Sequence, residues 1–298
     1  MRKYRQYVLP AAIVLGLLLH GLCASLAPVV PWLIFTILLL TFSAVDLRKL
    51  RFTGLDLWLI VYQIAAAAIL YIGITALGGN RTIAEGAMMA ALCPVAASST
   101  VVACMLGASR QTMTGYAVFG NIMVAVVAPL FFVLIGEHPE QSLGSAYLLM
   151  LGKTGSTLAL PFFVALALQL LLPKANAALA RVTGWSFYVW AVALLLTIGQ
   201  TIHFIFSHGS GNWGVIAWLG VLALAACVVQ FWLGHRLGAR YGDVVSGGQL
   251  MGQKNSAMGI WMCVTFMTPL SSVLMAFYSI FQNLYNAWQI ARNKCNRL

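Results

Sequence analysis

Charge is what this sequence has least of. Only 8% of its 298 residues are charged and just 6 are acidic, while 61% are hydrophobic and the mean hydropathy is +0.91. A soluble domain carries about a quarter charged residues, so a water-soluble enzyme is excluded. No C-x-x-C spacing links the six cysteines, Cys23, Cys93, Cys104, Cys227, Cys263 and Cys295, and five of them lie in apolar runs. They read as buried free thiols, not as disulfides or a metal site. H-E-x-x-H, G-x-S-x-G and paired aspartates at membrane depth are all missing, which leaves an intramembrane enzyme without a nucleophile or metal site. The histidines, His20, His138, His203, His208 and His235, are too scattered to form a ligand face. The basic start has no small-residue cleavage site after its apolar run, so an uncleaved first helix is expected.

Long apolar runs are what the chain has instead. Set against the Lys/Arg, Gly and Pro punctuation, they predict ten spans at 7–27, 30–46, 54–78, 84–107, 113–136, 144–172, 184–206, 213–235, 243–268 and 270–291. The loop charges support the count. Arg2, Lys3, Arg5, Arg48, Lys49, Arg51, Arg110, Lys174, Arg181, Arg236, Arg240, Arg292, Lys294 and Arg297 all fall on one side, and Arg81 alone falls on the other. This positive-inside bias places both termini in the cytoplasm and the chain in a plasma membrane. Basic residues scattered over short loops, with no interleaved aromatics, also argue against nucleic acid as a partner of this +11 chain.

Ten spans with both ends inside divide into five and five, and an odd-numbered repeat must return inverted, as in inverted-repeat transporters. The expected fold is all-α and integral to the membrane, with one repeat over 1–143 and the other over 144–298. Two interruptions at equivalent positions agree with this. Span 4 is broken by Cys93-Pro94-Val95-Ala96-Ala97-Ser98-Ser99-Thr100 and span 9 by Gly252-Gln253-Lys254-Asn255-Ser256, both near mid-bilayer at a rise of about 1.5 Å per residue. Broken backbone is tolerated at that depth only against protein or a wet cavity. Pro94 removes a donor. Ser98, Ser99 and Thr100, like Asn255 and Ser256, are residue types that cap a second half-helix. Two half-helix N-termini at one place suit an anionic group. Taken alone, Pro94 would read as an ordinary kink. Gly234/Gly238 and Gly248/Gly252, at four-residue spacing, read as helix-packing contacts.

Lys254 carries the most weight. A lysine at the bilayer centre costs at least about 2.5–3.5 kcal/mol on insertion scales and is functional by default. The alternative is a lysine paired to backbone carbonyls for structure alone. Lys153, on a long span nearer the outer surface, either snorkels or lines an outer vestibule. The acidic residues Asp46, Asp56, Glu85, Glu137, Glu140 and Asp243 all fall at or near span ends, so no carboxylate is expected at mid-depth.

At the two broken spans the chain resembles the bile acid:sodium symporter family and its bacterial relatives, which take up bile acids and other organic anions. The carrying segments are Cys93-Pro94 through Thr100, Asn121 through Pro129, and Gly252-Gln253-Lys254-Asn255. The resemblance implies that spans 4 and 9 cross within a core of spans 3–5 and 8–10, that spans 1, 2, 6 and 7 form a panel, and that substrate passes between. It also implies an inner-membrane protein, monomeric or weakly homodimeric. The family's sodium ligands fall here on Gln63, Ser99, Thr100, Asn121, Ala125, Leu250, Gln253 and Lys254, and its substrate threonine falls on Ala97. Leu250 stands in place of the bridging glutamate and Lys254 in place of the neighbouring glutamine. Sodium is therefore not expected as a cofactor, because a fixed ammonium repels it. Lys254 is read as a tethered cation at the sodium position, or as the protonation site of a proton-coupled or uncoupled carrier. The expected function is secondary transport of an organic anion, a bile acid or small hydroxy or keto acid. Arsenite-type or auxin-efflux-type carriers are the alternative within transport, and an intramembrane enzyme is the alternative outside it.

Overall fold

The computed structural model describes residues 5–96, 99–108, 110–135, 142–208 and 211–295, and within them the chain is helical. The first expected span is two helices, α1 (Arg5–Leu18) and α2 (His20–Ser25), and the second is α3 (Val30–Ser43). Next come α4 (Gly54–Ala76), α5 (Arg81–Leu92), α6 (Ser99–Leu106) and α7 (Arg110–Ile135). The second half contains α8 (Leu143–Leu158), α9 (Leu160–Leu171), the short α10 (Pro173–Arg181), α11 (Ser186–His208), α12 (Trp213–Arg240), α13 (Val244–Gly252), α14 (Ser256–Phe266) and α15 (Ser272–Cys295).

The starts of these helices follow from local chemistry. Thr53 and Asp56 form a reciprocal capping box on α4, Asn80 caps α5, Ser142 caps α8 and Asp243 caps α13. Acidic residues are thereby used at helix ends, as their positions in the sequence imply. Glu85 accepts from Arg81 Nε at 3.0 Å and from the Thr268 backbone N–H at 2.9 Å, joining the start of α5 to the turn before α15. Glu137 and Glu140 lie outside the described residues.

Among the described residues four helices, α4, α7, α11 and α12, have the length and apolarity to cross a bilayer. The pair α8 and α9, bent by 47°, makes a fifth. Their outer faces are apolar: α4 exposes Trp58, Val61, Ile69 and Ile72, and α12 exposes Trp218, Val221, Val228 and Trp232. Surface of this kind is stable against lipid and not against water, and it marks a membrane-embedded protein. Two spans are bent or broken where the sequence reading has one straight helix. The first parts at Leu19, and the sixth bends at Ala159, where Pro161 in the first turn of α9 cannot donate back into α8.

Packing sorts the helices into two groups. α1, α2, α3, α9 and α11 pack mainly on one another, α4, α5, α6, α12, α13, α14 and α15 form the second set, and α7 and α8 pack most closely on each other, joining the two. Within the second set α12 and α13 lie closest. A Cβ on Gly234 or Gly238 would collide with the α13 backbone at Gly247, and one on Gly252 would collide with the Phe231 ring. Glycine at these positions is what allows the two backbones to touch.

Candidate functional site

Two interruptions define the site. At Cys93-Pro94, the residue before proline is pushed out of helical conformation, and Cys93 takes φ −55° and ψ 133°, which ends α5. The second break has no proline. There α13 stops at Gly252, Gln253 is extended, and Asn255 caps α14 by accepting from the Met258 N–H at 3.4 Å. The extended pieces then pair with each other. Val95 and Lys254 form an isolated antiparallel bridge, with Ala96 N–H donating to Gln253 O at 2.9 Å and Asn255 N–H donating to Pro94 O at 2.8 Å. In hydrocarbon every backbone group needs a protein partner, and here each break supplies partners for the other.

The carbonyls left over at the end of α5 show how the rest is satisfied. Met89 O accepts from Cys93 N–H, Ala90 O from Gln230 Nε2 at 3.2 Å, and Ala91 O from Lys254 Nζ at 3.0 Å. Gln63 Nε2 donates to both Leu92 O and Cys93 O, the latter at 2.9 Å, and Gln63 Oε1 accepts from Tyr116 OH at 2.8 Å. The end of α13 is held by α15. Tyr278 OH donates to Gly252 O at 2.7 Å, and the Gln282 amide pairs with the Lys254 backbone, accepting from its N–H at 2.8 Å and donating to its C=O at 3.0 Å.

Lys254 is 2% exposed, and its ammonium sits on the carbonyl end of α5, where the helix dipole is negative. Its contact is therefore with backbone, the pairing that the sequence reading sets against a functional role. Among the described residues no carboxylate pairs with it; the ion pairs there are Arg48–Asp46 and Arg81–Glu85. The Lys254 amine therefore meets a backbone carbonyl, Ala91 O, and no carboxylate among the described residues.

The remaining candidate residues are placed as follows. Pro94 is buried at the first break, and Ala97 and Ser98 lie outside the described residues. Ser99 and Thr100 open α6, but their hydroxyls have no hydrogen-bond partner and cap nothing; Ser256 Oγ at the start of α14 is also unpaired. These three lie inside their helices and make no cap bond among the described residues, Asn255 caps α14, and Ser98, the residue before α6, lies outside the described residues. Gln63 is at the site, with both polar ends committed. Asn121 is buried on α7 with its Nδ2 on Ala117 O and its Oδ1 unpaired. Ala125 offers only a carbonyl, which accepts from Thr154 at 3.0 Å. Leu250, 1% exposed, packs in an apolar cluster with Val95, Met113, Tyr116 and Met251. Gln253 enters through its backbone. Lys153 stands on the exposed face of α8, a helix that packs on α3, α7 and α9, and is not brought to the crossover.

The oxygens free to take a ligand, Ser99 Oγ, Thr100 Oγ1, Asn121 Oδ1 and Ser256 Oγ, are all neutral. No group of three or more His, Cys, Asp or Glu that could hold a metal occurs among the described residues. No family model matches the chain, and a search of curated proteins returns no match.

Four residues that tie the crossover together were not among the sequence candidates: Tyr116, Gln230, Tyr278 and Gln282. A signal for two of them exists. Tyr278, Gln282, Asn286 and Gln289 recur at steps of four, four and three, a polar line on one face of the last helix.

Proposed function

We propose that this chain is a ten-span secondary carrier, built from two inverted five-helix repeats, that moves a small organic anion by alternating access without sodium. The observation that carries the reading is the antiparallel pairing of the two breaks with the Lys254 ammonium lodged on the carbonyl end of α5. A carrier that uses sodium at such a crossover needs anionic oxygen ligands. Here Leu250 fills the glutamate position with apolar packing, and Lys254, on the carbonyl end of α5, supplies the positive charge that an ion would bring. Any coupling then falls to protons. The starts of α6 and α14 contribute partial positive charge and unpaired hydroxyls, and with no opposing carboxylate this favours an anionic substrate such as a bile acid or a hydroxy or keto acid.

The inverted repeat is supported by packing pairs that recur between halves. α4 lies on α5 as α12 lies on α13, and α1 lies on α11 as α8 and α9 lie on α3. In this reading α4–α7 and α12–α15 are the core, and the helices of spans 1, 2, 6 and 7 are the panel. The loop charges support a reading with both termini in the cytoplasm. The test is counterflow of a panel of labelled bile acids, 2-hydroxy acids and 2-keto acids in proteoliposomes. A carrier gives saturable flux with counterflow for at least one anion, and flux without saturation, or product formation without flux, would overturn the reading.

A further inference from the structure

The histidines are scattered along the sequence, but the fold brings two of them together. His20 opens α2 and His203 lies on α11, and their Nδ1 atoms are 3.1 Å apart across 183 residues of chain. Local sequence explains the meeting. Each histidine follows a glycine by four residues, in Gly16-Leu17-Leu18-Leu19-His20 and Gly199-Gln200-Thr201-Ile202-His203, which puts glycine and histidine on one helix face a turn apart. The parting at Leu19 keeps the helical bonds from Leu19 N–H to Leu15 O at 2.8 Å and from Cys23 N–H to Leu19 O at 2.9 Å, so that face carries through into α2. The glycines are where the helices touch. A Cβ on Gly16 would come within 3.1 Å of Leu195 O and 3.3 Å of Gly199 N, and one on Gly199 would collide with Cys23. With the backbones this close, the side chains one turn further on meet instead of diverging.

The pair has the geometry of a chelate. Both side chains are half-buried, so they are held by the protein and still reachable from outside it. Their ring planes are inclined at 31° with centroids 5.4 Å apart, and the Phe206 ring flanks His20 with centroids 5.1 Å apart. A hydrogen bond between two Nδ1 atoms uses one lone pair and one proton. Moving that proton to the Nε2 of its own ring leaves two neutral imidazoles with both Nδ1 lone pairs directed into the same gap. Two nitrogens bound to one metal ion at about 2.0–2.1 Å stand about 2.9 Å apart at a right angle and about 3.3 Å apart at the tetrahedral angle. The observed 3.1 Å lies between these values. Among the described residues no third His, Cys, Asp or Glu joins the pair, so an ion held there keeps positions open to water or a solute. Imidazole nitrogens suit zinc, nickel and copper, whereas magnesium and calcium need oxygen ligands.

We propose that His20 and His203 form a two-histidine site for a divalent transition-metal ion of the zinc, nickel or copper class. The ion clamps α2 to α11 and, because it binds only the folded chain, stabilises that contact in proportion to its concentration. His203 lies five residues, about 7.5 Å, from the end of α11 at His208, which is the end away from the basic loops. In the orientation read from those loops the ion enters from the outer side. The site shares no residue with the crossover, and the proposal stands apart from the carrier reading.

The test reads metal, not transport. Untagged protein in detergent is equilibrated with zinc, nickel or magnesium ions, and bound metal is measured by equilibrium dialysis. The expected result is saturable binding of zinc and nickel at one ion per chain and none of magnesium. His20→Ala and His203→Ala each weaken it by roughly tenfold or more, since either leaves a single imidazole, while His235→Ala on α12 leaves it unchanged. Zinc also raises the melting temperature of the wild type but not of the first two variants. X-ray absorption at the zinc edge of the loaded wild type keeps the test decisive should both variants fail to fold. Two imidazole ligands and no sulfur are expected there, whereas sulfur would assign the ion to one of the free cysteines. Absence of saturable binding, equal binding in His20→Ala and His203→Ala, or a sulfur ligand overturns the proposal.

Discussion

The two breaks meet in one antiparallel bridge but are made in different ways. The first is favoured by covalent structure, since Pro94 has no N–H to continue α5 and disfavours helical conformation at Cys93. Its carbonyls are satisfied by Gln63 from α4, Gln230 from α12 and Lys254 from the opposite break, one of them charged. The second break contains no proline, and its exposed backbone is held by neutral side chains of α15. A break at proline is favoured by the chain itself, although surroundings decide whether it forms, since α7 runs through Pro129 unbroken. One made by hydrogen bonds depends on their being kept, so the α13–α14 junction is expected to loosen more readily when its partners are removed.

Removing the partners in turn breaks this contrast by degrees. Gln63→Leu has the largest expected effect on stability, because it strands the carbonyls of Leu92 and Cys93 and the Tyr116 hydroxyl together, at about 1–3 kcal/mol for each buried group. The lowest melting temperature of the series in detergent, read by tryptophan fluorescence, is the expected outcome. Gln282→Leu comes next. It removes both bonds to the Lys254 backbone, but Lys254 O keeps the Ser256 N–H at 2.9 Å, so one group is stranded, at about 1–3 kcal/mol. Faster amide exchange over 252–255, with the first break unaffected, would separate the two junctions, whereas equal loosening of both would erase the distinction.

Tyr278→Phe is milder, since it deletes one hydroxyl and leaves only Gly252 O unpaired, and a drop of about 1–2 kcal/mol is expected. Lys254→Met has the smallest effect on stability. The lost bond to Ala91 O, about 1–3 kcal/mol, is offset by no longer burying an ammonium that costs about 2.5–3.5 kcal/mol on insertion scales. The expected result is a melting temperature close to wild type with transport abolished, and a large fall in melting temperature would give Lys254 a purely structural role.

These differences also mark what could be read from residue order. The long helices were legible because about 20 apolar residues between basic loops have few other uses. Pro94 announced the first break, and the Gly-Gln-Lys-Asn cluster announced the second. The bend at Ala159 had a sign in Pro161, whereas the parting at Leu19 has none in composition. The site was half legible. Lys254 stood out by depth, but its partner Ala91 is 163 residues away, and the Gln282 pairing joins helices through a turn, so neither contact follows from periodicity. Ser99 and Thr100 were expected as caps because of residue type, yet type does not reveal whether a residue falls before a helix or within its first turn. Gln63 entered only through the family resemblance, and nothing in residue order shows that Tyr116 engages its amide oxygen while its amide nitrogen serves the end of α5.

The account's central claim is that the Lys254 ammonium supplies at the crossover what a sodium ion would otherwise supply. A sodium titration of anion counterflow, run on wild type and Lys254→Met in matched proteoliposomes, tests it most directly. The account predicts a wild-type rate that does not change with sodium and no counterflow in the variant at any sodium concentration. A steep sodium dependence in the wild type, with transport surviving in the variant, would contradict it.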